Sequence, residues 1–596
     1  MPRATWTWTF DLPPGELWPV LADTNRFNEA MGLPPYVLEE TPQPNGTVLR
    51  RGKGKAAGFT LEWEEKPYEW IEGRHFHQSR EFTKGPFRRF GPIFDLEPID
   101  LASGKGGSRV SYALEYEPLT LTGRLFGARL ARQAGGVVEK RILEAVAFAK
   151  GERTSRFDLA PPELPEGARE RAAALAAEVD RSPYGNGLGR KLADLVLTGM
   201  ATDLAHLNPK TLAVDLDVPQ RAAIEACLAG TRAGLLTMKW DLLCTNCRGA
   251  KLTATALSEL PRGAHCPSCN IDYDRDFEKN VELSFAPAPS VRPLGVGGFC
   301  LSGPMATPHV VVQLLLAPDE KRGVALDLPV GSYRLRTLHP GASVDVEHRG
   351  GAFPGVRVTD KGVEALPPGQ AGTIAFVNEA GFELAALIED RTWTREALTA
   401  PEVISLQAFR DLFAEATLRP GDEAGVSQVA LLFSDLQGST ALYERVGDAV
   451  AFNMVREHFA LLASIVRDHD GAVVKTIGDA VMASFGDPAH AVRAALAMQS
   501  RITRFGVGGH DLVLKLGIHA GPSVVVTLND RLDYFGSSVN MAARLQGQSQ
   551  GGDIVLSRVV ADDPAVRMLL TAMPAREESV PLKGFADPIS FVRLLP

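Results

Sequence analysis

Two aspartates near the C-terminal end of the chain lie in sequence contexts that suit a divalent metal. Asp435 ends a short apolar strand, and the turn Gly438–Thr440 then leads into a predicted helix. A carboxylate at a strand end can hold a cation, and the N–H groups at a helix start can bind a phosphate. Asp479 follows Gly478 between two predicted strands, and a hairpin there would bring it close to Asp435. Because neighbouring carboxylates repel one another unless a proton or cation intervenes, a pair of Mg²⁺ ions is the expected occupant.

Four of the six cysteines form two C-x-x-C pairs that are separated by 18 residues. Four thiolates at this spacing suit a tetrahedral Zn²⁺ and leave no position open for water, which predicts a structural zinc ribbon. A redox function would more plausibly accompany a thioredoxin-like context, which the sequence lacks. His265 is not needed in the zinc shell, and Cys227 and Cys300 are interpreted as ordinary buried thiols. The predicted zinc ligands are Cys244, Cys247, Cys266 and Cys269.

Composition indicates a multidomain globular protein. The chain has 596 residues, a net charge of −9, 45% hydrophobic residues and 23% charged residues. This mild negative charge argues against nucleic-acid binding. The longest apolar runs, such as residues 310–317, are too short to span a bilayer, and the N-terminus lacks the apolar segment of a signal peptide. Together with the cysteine usage, these features predict a cytoplasmic protein.

The first 151 residues are predicted to form a pocket domain. Five of the seven tryptophans lie within the first 70 residues, and several segments alternate between apolar and polar residues as strands do. Strand, short helix, antiparallel strands and a long helix over about 119–149, together with the segment Leu17–Thr24, resemble the START-like helix-grip fold. That resemblance implies a cavity for a small hydrophobic ligand. The alternative is an aromatic core without a cavity.

The middle of the chain is predicted to contain four further parts. Residues 155–238 are Ala-rich and helical, and a winged-helix relationship is one interpretation. The zinc ribbon is placed at 239–285. Short strands with Gly and Pro turns then predict a β-sandwich over 286–400. Residues 401–426 are predicted to be a helical linker that enters the last domain.

Four motifs within residues 427–596, in this order and at this spacing, resemble the catalytic domain of class III nucleotidyl cyclases. The resemblance implies a ferredoxin-like core that works as a dimer, so that the whole chain is predicted to be a multidomain α+β protein. The motifs are Phe433-Ser-Asp-Leu-Gln-Gly-Ser-Thr440, Lys475-Thr-Ile-Gly-Asp479, Gly517-Ile-His-Ala-Gly521 and Asp533-Tyr-Phe-Gly-Ser-Ser-Val-Asn-Met-Ala-Ala-Arg544.

The resemblance assigns a role to each matching position. Asp435 and Asp479, with the carbonyl of Leu436, would hold two Mg²⁺ or Mn²⁺ ions. Lys475 and Asp533 would read the base, by donating to adenine N1 and accepting from its exocyclic amine. Guanine reverses both edges, and guanylyl cyclases typically carry Glu and Cys at these places, so ATP is the expected substrate.

Two further sets of residues complete the implied site. Asn540 would orient the ribose, and Arg544 would neutralise charge on the transferring phosphate. The two residues are four apart on one predicted helix, so they share a face. The residues expected to bind phosphate are Gly438, Ser439, Thr440 and Lys583.

Simpler interpretations exist for individual residues. Arg544 could form a surface ion pair, Lys475 could be a solvated strand-end charge, and Asp479 could be a turn residue. His519 is interpreted as structural. The complete set of motifs outweighs these interpretations taken singly.

The sequence therefore predicts an adenylyl cyclase that produces cyclic AMP by a two-metal mechanism. In the family, the metal aspartates come from one subunit, and the base-reading and transition-state residues come from the other. One complete set per chain predicts a homodimer, which the N-terminal parts would regulate. The alternatives are a catalytically silent cyclase fold, a guanylyl cyclase, and a front half that binds DNA or a partner.

Overall fold

The computed structural model describes residues 2–596 except 57, 102–105, 296, 301–302, 392–396, 415–417, 419–423, 440–443, 445, 503–505, 508–509, 529–530, 572, 584 and 586. Across the described part of the chain, no helix is both long enough and apolar enough to cross a membrane.

The N-terminal part is an antiparallel sheet with a long helix packed on it. The helix Leu121–Ala149 contributes Val138 and Ile142 to a core that also contains Trp18, Trp70 and Phe94. Two further helices are Pro14–Leu21 and Thr24–Ala30. The strands are Arg3–Phe10, Leu38–Pro42, Val48–Ala56, Phe59–Glu65, Glu69–Ile71, His75–His77, Arg80–Lys84, Phe87–Asp100 and Gly106–Pro118.

The β-rich part that follows residue 300 consists of two sheets with an apolar core between them. One sheet contains Val310–Leu316, Gly331–Thr337, Val344–His348 and Leu384–Asp390. The other contains Lys321–Ala325, Pro354–Thr359, Gly362–Pro368 and Thr373–Asn378.

One sheet crosses the predicted boundary between the N-terminal and β-rich domains. Ile71 pairs with Val312, and Trp70 pairs with Gln313. The Trp70 indole N–H donates to the Val310 carbonyl at 2.7 Å, and the Gln313 amide donates to the Tyr68 carbonyl at 2.7 Å. The parts predicted at 1–151 and 286–400 are therefore joined by strand pairing and by hydrogen bonds between their buried groups.

The region between these parts combines helices with two small sheets. The helices are Ala168–Arg181, Gly189–Thr198, Ala201–Ala205, Pro209–Asp215 and Gln220–Ala233. A three-stranded sheet contains Leu236–Leu243, Ala250–Ala254 and Val281–Pro287, and a two-stranded sheet contains Gly263–Cys266 and Ile271–Asp274.

The segment predicted to be a helical linker contains two short helices, Ala400–Ile404 and Gln407–Leu412. Leu406 between them has an extended backbone, which ends the first helix. Phe409 is buried and packs edge-on against Trp240, with 6.1 Å between the ring centroids. The described part of this segment is therefore a packed element, not an exposed connector.

The C-terminal part is an antiparallel sheet with one parallel pair. In spatial order its strands are Gly471–Ile477, Ala480–Phe485, Ala424–Leu436, Leu514–Leu528, Ile554–Ser557, Ile589–Leu594 and Ala575–Val580. An eighth strand, Arg531–Phe535, pairs with the C-terminal end of Leu514–Leu528. The short strands Gly506–Val507 and His510–Asp511 form a separate pair. The helices are Asp448–Asp468, Pro488–Ile502, Ser537–Gln546, Arg558–Ala561 and Pro564–Leu570.

The two faces of this sheet belong to different cores. Ala430 and Leu432 pack with the helices Asp448–Asp468 and Pro488–Ile502. The alternate residues of the same strand lie in a second core, which continues into the preceding regions of the chain. Its members include Val429, Leu431, Phe433, Trp240, Phe285 and Phe409.

Candidate active site and metal centre

Asp435 and Asp479 come together at one end of the sheet. Asp435 is the last residue but one of the Ala424–Leu436 strand, and Asp479 lies in the tight turn between Gly471–Ile477 and Ala480–Phe485. Gly478 has φ of 63°, a left-handed conformation that glycine adopts without strain. Leu436, whose carbonyl is the expected third ligand, is buried at the strand end.

The electrostatics of this carboxylate pair suit a cation. Burial raises the pKa of Asp435, and the nearby Asp479 carboxylate raises it further, against the opposing effects of Lys515 and Gln546. The Oδ2 atom of Asp479 is buried and has no hydrogen-bond partner among the described residues. Hard cations such as Mg²⁺ prefer such oxygen ligands, so the residues present fit the expected metal.

Lys475 and Asp533 form an ion pair, although 58 residues separate them in the sequence. The Lys475 Nζ donates to Asp533 Oδ2 at 2.5 Å. The second oxygen, Oδ1, accepts from the Tyr534 backbone N–H at 2.8 Å. Asp533 is only 8% exposed, whereas the Lys475 side chain is 38% exposed. The two expected base-reading residues therefore form one unit within a single chain.

Asn540 and Arg544 lie on the exposed face of the helix Ser537–Gln546. The opposite face, with Ser538, Ala542 and Leu545, is buried. In the described part of the chain, the Asn540 and Arg544 side chains make no recorded hydrogen bond or ion pair. Both side chains are therefore available to a molecule outside this protomer.

Two glycines of the Gly517–Gly521 motif allow this helix to lie close to the sheet. A Cβ atom at Gly517 would lie 2.1 Å from the backbone nitrogen of Gln546. A Cβ atom at Gly521 would lie 2.8 Å from the Ser538 hydroxyl, which donates to the Pro522 carbonyl at 2.6 Å. This motif therefore positions the helix that carries Asn540 and Arg544.

The expected phosphate-binding residues are described only in part. Gly438 has φ of 68° and begins the turn after the Asp435 strand, and Ser439 follows it. Thr440 lies outside the described residues. Lys583 is exposed in the loop between Ala575–Val580 and Ile589–Leu594, and its role stays a prediction.

The four paired cysteines form a compact cluster. The sulfurs of Cys244, Cys247, Cys266 and Cys269 all lie within 4.8 Å of one another. The Asn246 N–H points to Cys244 Sγ at 3.4 Å, and the Cys269 N–H points to Cys266 Sγ at 3.4 Å. Four clustered sulfurs in paired turns fit a tetrahedral zinc ion.

The N-terminal region contains a cavity of about 180 Å³. Apolar and aromatic side chains dominate its wall, including Phe27, Phe76 and Phe94. Its polar groups include Arg80, whose Nε donates to Glu65 at 3.0 Å and whose Nη2 donates to the Tyr36 hydroxyl at 2.8 Å. The volume leaves room for a small apolar group.

Several residues near the candidate site were not singled out from the sequence. His458, on the helix Asp448–Asp468, is fully buried, and burial lowers its pKa to about 4 although nearby Asp479 opposes the shift. Gln407 and Arg410 contact the strands that carry Lys475 and Asp533. No sequence motif marks these residues, because His458 is a single histidine within a helix and Gln407 and Arg410 are two polar residues on a short helix.

Residues 422–584 match the family model described as the adenylate and guanylate cyclase catalytic domain. This match confirms that the C-terminal part is a class III nucleotidyl cyclase catalytic domain, called the catalytic domain below. Residues 177–296 match a family of unknown function, DUF5939. That match contains the helices from Gly189–Thr198 to Gln220–Ala233 and the four paired cysteines.

Similar proteins are found in bacteria and other organisms. The chain is 32% identical over 146 residues to adenylate cyclase 1 of Rhizobium meliloti, which covers 22% of each chain. It is 32% identical over 170 residues to an uncharacterized protein of Mycobacterium tuberculosis, with 28% of this chain and 42% of the relative covered. The aligned segments thus span less than half the length of these relatives.

The solved structures that resemble this chain include the adenylyl cyclase CyaB from P. aeruginosa and adenylate cyclases from Trypanosoma brucei in their monomeric state. The first is 23% identical and covers 29% of this chain and 96% of its own, with a TM-score of 0.27. The second is 21% identical and covers 29% and 91%, also with a TM-score of 0.27.

Proposed function

We propose that this protein is an adenylyl cyclase that converts ATP to 3′,5′-cyclic AMP and pyrophosphate. The observation that supports this proposal most is the ion pair between Lys475 and Asp533, in a chain that also brings the carboxylates Asp435 and Asp479 near each other. An ammonium next to a carboxylate matches the N1 and amine edge of adenine, and the same pair is mismatched to guanine. Relatives named adenylate cyclase, such as that of Rhizobium meliloti, agree with this choice.

The chemistry needs little covalent participation from the protein. Asp435 and Asp479, with the Leu436 carbonyl, would hold two Mg²⁺ or Mn²⁺ ions. When bound, these ions lower the pKa of the ribose 3′-hydroxyl and stabilise charge on the phosphates. Asn540 orients the ribose for in-line attack on the α-phosphate, and Arg544 donates hydrogen bonds to that phosphate as its charge develops.

The remaining residues bind the substrate at its two ends. Lys475 and Asp533 fix the base. Lys583, together with the turn at Gly438 and Ser439, holds the terminal phosphates. Each contact restricts the motion of the ATP and so favours the reactive geometry.

We propose that the site is shared between two copies of the chain. Asn540 and Arg544 are exposed and have no described polar partner in their own protomer. Ile477 and Phe535, near the base-reading residues, are 52% and 66% exposed. Exposed large apolar side chains, and exposed functional groups without a described partner, are both typical of a surface that another chain covers.

Mixing two inactive variants tests this arrangement. Asp435→Ala lacks a metal ligand and Arg544→Ala lacks a transition-state donor, so we expect each alone to lose at least about 10²-fold in kcat. Co-expressed as a mixed dimer, they should regain activity, because one of the two sites is then complete. Arg567→Ala, an exposed arginine on another helix, is the matched control and should keep wild-type activity. No recovery in verified mixed dimers would refute the shared site.

Measuring product formation from ATP and from GTP separates the alternatives. The wild-type chain with Mg²⁺ or Mn²⁺ should produce mainly cyclic AMP. Dominant cyclic GMP would overturn the base assignment, and no product from either nucleotide would favour a silent nucleotide-binding fold.

A second proposed function, ligand sensing, is favoured by the N-terminal cavity. Its apolar wall would accept a small hydrophobic ligand. Native mass spectrometry of the full chain should detect the ligand as an added mass. Ala134→Phe should remove that mass by filling the cavity that Ala134 lines. A wild-type chain without any added mass, even after incubation with apolar compounds, would count against this function.

A further inference from the structure

The two base-reading strands are both edge strands. Gly471–Ile477 is the last strand of the sheet, and Arg531–Phe535 pairs only with Leu514–Leu528 among the described strands. No described backbone ladder joins the two strands to each other. The ion pair between Lys475 and Asp533 bridges them through side chains alone, so its geometry depends on what holds the two edges in place.

The helix Gln407–Leu412 contacts both edges. Gln407 Oε1 accepts from the Val473 backbone N–H at 2.6 Å. The strand is irregular just beyond this point, because its pairing register shifts between Val473 and Lys475. Gln407 thus fixes the irregular part of the strand two residues before Lys475.

Arg410 fixes the other edge. Its Nη1 donates to the Leu532 carbonyl at 2.9 Å, and its guanidinium lies 5.6 Å from the centre of the Tyr534 ring. These two residues flank Asp533 on either side. On its own segment, Arg410 Nε donates to the Ile404 carbonyl at 3.0 Å, which holds the guanidinium in place.

We propose that Gln407 and Arg410 are positioning residues for base recognition. They act through the backbones of Val473 and Leu532, by fixing the separation and orientation of the two edge strands and hence of Lys475 and Asp533. This inference rests on the proposed function, because it assumes that this pair reads the base.

The helix can perform this role because it is itself anchored. Phe409, between the two polar residues, is buried against Trp240 in the preceding sheet. Asp411 accepts hydrogen bonds from Gln407 and from the Tyr184 hydroxyl. The base-reading pair is therefore connected to residues that lie outside the catalytic domain.

The experiment compares nucleotide discrimination in full-length variants. Arg410→Leu and Gln407→Leu remove the hydrogen bonds while keeping most of the side-chain volume. Arg410→Lys keeps the charge near Tyr534 but cannot donate to two carbonyls in the same geometry. Arg221→Leu is the matched control, because it removes an ion pair with Asp470, the residue just before Gly471–Ile477, and leaves the hydrogen bonds of Gln407 and Arg410 in place.

Two readouts are needed. The first is the ratio of kcat/KM for ATP to that for GTP. The second is the binding of 3′-deoxy-ATP and 3′-deoxy-GTP with Mg²⁺, measured by titration calorimetry, since these analogues lack the attacking hydroxyl. The second readout measures base discrimination without any turnover and so separates this inference from the proposed activity.

We expect Arg410→Leu and Gln407→Leu to lower the ATP preference about tenfold in both readouts, equivalent to about 1.4 kcal/mol. The KM for ATP should rise about tenfold while kcat changes by less than about threefold, because substrate binding is affected more than the chemical step. Arg410→Lys should recover part of the preference, and Arg221→Leu should retain it.

Unchanged discrimination in both leucine variants would overturn the inference, as would an equal loss in Arg221→Leu. If Arg410→Leu does not fold, Gln407→Leu decides the question. A wild-type chain that makes no product but discriminates between the two analogues would refute the proposed activity alone. A wild-type chain that makes cyclic AMP but binds both analogues equally would refute the inference alone.

Discussion

The contact between Lys475 and Asp533 predicts which nucleotide is used. It also predicts which of the two residues can be substituted first without loss of activity. Exchanging both residues for those typical of guanylyl cyclases, Lys475→Glu and Asp533→Cys, should convert the preference from ATP to GTP. The two single variants should behave very differently from each other. The difference follows from the 2.5 Å separation of the charged groups and the burial of Asp533.

Lys475→Glu alone places a second carboxylate beside a buried one and removes the only cation recorded in contact with it among the described residues. Two adjacent carboxylates cannot both ionise at such a distance without a large cost. Removing one partner of a buried ion pair costs about 3–5 kcal/mol, and an exposed pair costs up to about 1 kcal/mol. Because Lys475 is partly exposed, we expect Lys475→Glu to cost about 2 kcal/mol, equivalent to a loss of roughly 30-fold in kcat/KM for ATP. The lost contact with the base adds to this loss.

Asp533→Cys alone leaves Lys475 with access to solvent, so the ammonium can be hydrated. This variant should keep measurable activity with ATP and lose most of the discrimination against GTP. The Asp533 position should dominate discrimination, because an unpaired polar group costs more when it is buried.

The assay is kcat/KM for ATP and GTP in the wild type, both single variants and the double variant. We expect Lys475→Glu to be inactive with both nucleotides, Asp533→Cys to accept both, and the double variant to prefer GTP. The reasoning is refuted if Lys475→Glu keeps ATP activity within about tenfold of the wild type, or if the folded double variant still prefers ATP.

Two further predictions concern the region before the catalytic domain. We expect elemental mass spectrometry to find one zinc per wild-type chain and less in Cys266→Ser, because a tetrahedral thiolate site loses a ligand; Cys300→Ser should keep the wild-type zinc content, and equal zinc in Cys266→Ser and Cys300→Ser would contradict the site. Burial, and to a smaller extent the Asp241 carboxylate, raises the pKa of Glu282 from 4.5 to about 7. The free energy of unfolding should therefore fall by at most about 3 kcal/mol as the pH rises from 4.5 through 7. Glu282→Gln should remove this part of the pH dependence of thermal unfolding, and an unchanged pH profile would contradict it.

The positions of the residues expected to bind metal and base could be predicted from the sequence because each residue is tied to a local pattern. Asp435 ends an apolar strand, and Asp479 follows a glycine in a tight turn, and the structure brings these two carboxylates near each other. Lys475 and Asp533 meet because the two edge strands that carry them lie next to each other, and the residues taken singly could not show this.

The connections between regions could not be predicted in this way. A strand pattern reveals which face is apolar but not which strand is the neighbour, so the pairing of Trp70 with Gln313 was missed. Likewise, Thr399 to Leu418 has the composition of one helix. The extended backbone at Leu406 and the hydrogen bond from Arg410 to the Ile404 carbonyl depend on tertiary packing.

The contacts between the front half and the catalytic domain also bear on how regulation would operate. They include Arg221 with Asp470, Gln407 with Val473, and Arg410 with Leu532, all on or beside the base-reading strands. In a shared site, each base-reading pair serves the metal carboxylates of the other chain. A rearrangement in one front half would then change substrate binding at the site whose metals the partner holds. Control would pass between subunits, so a dimer with one altered front half should have one altered site and one unaltered site.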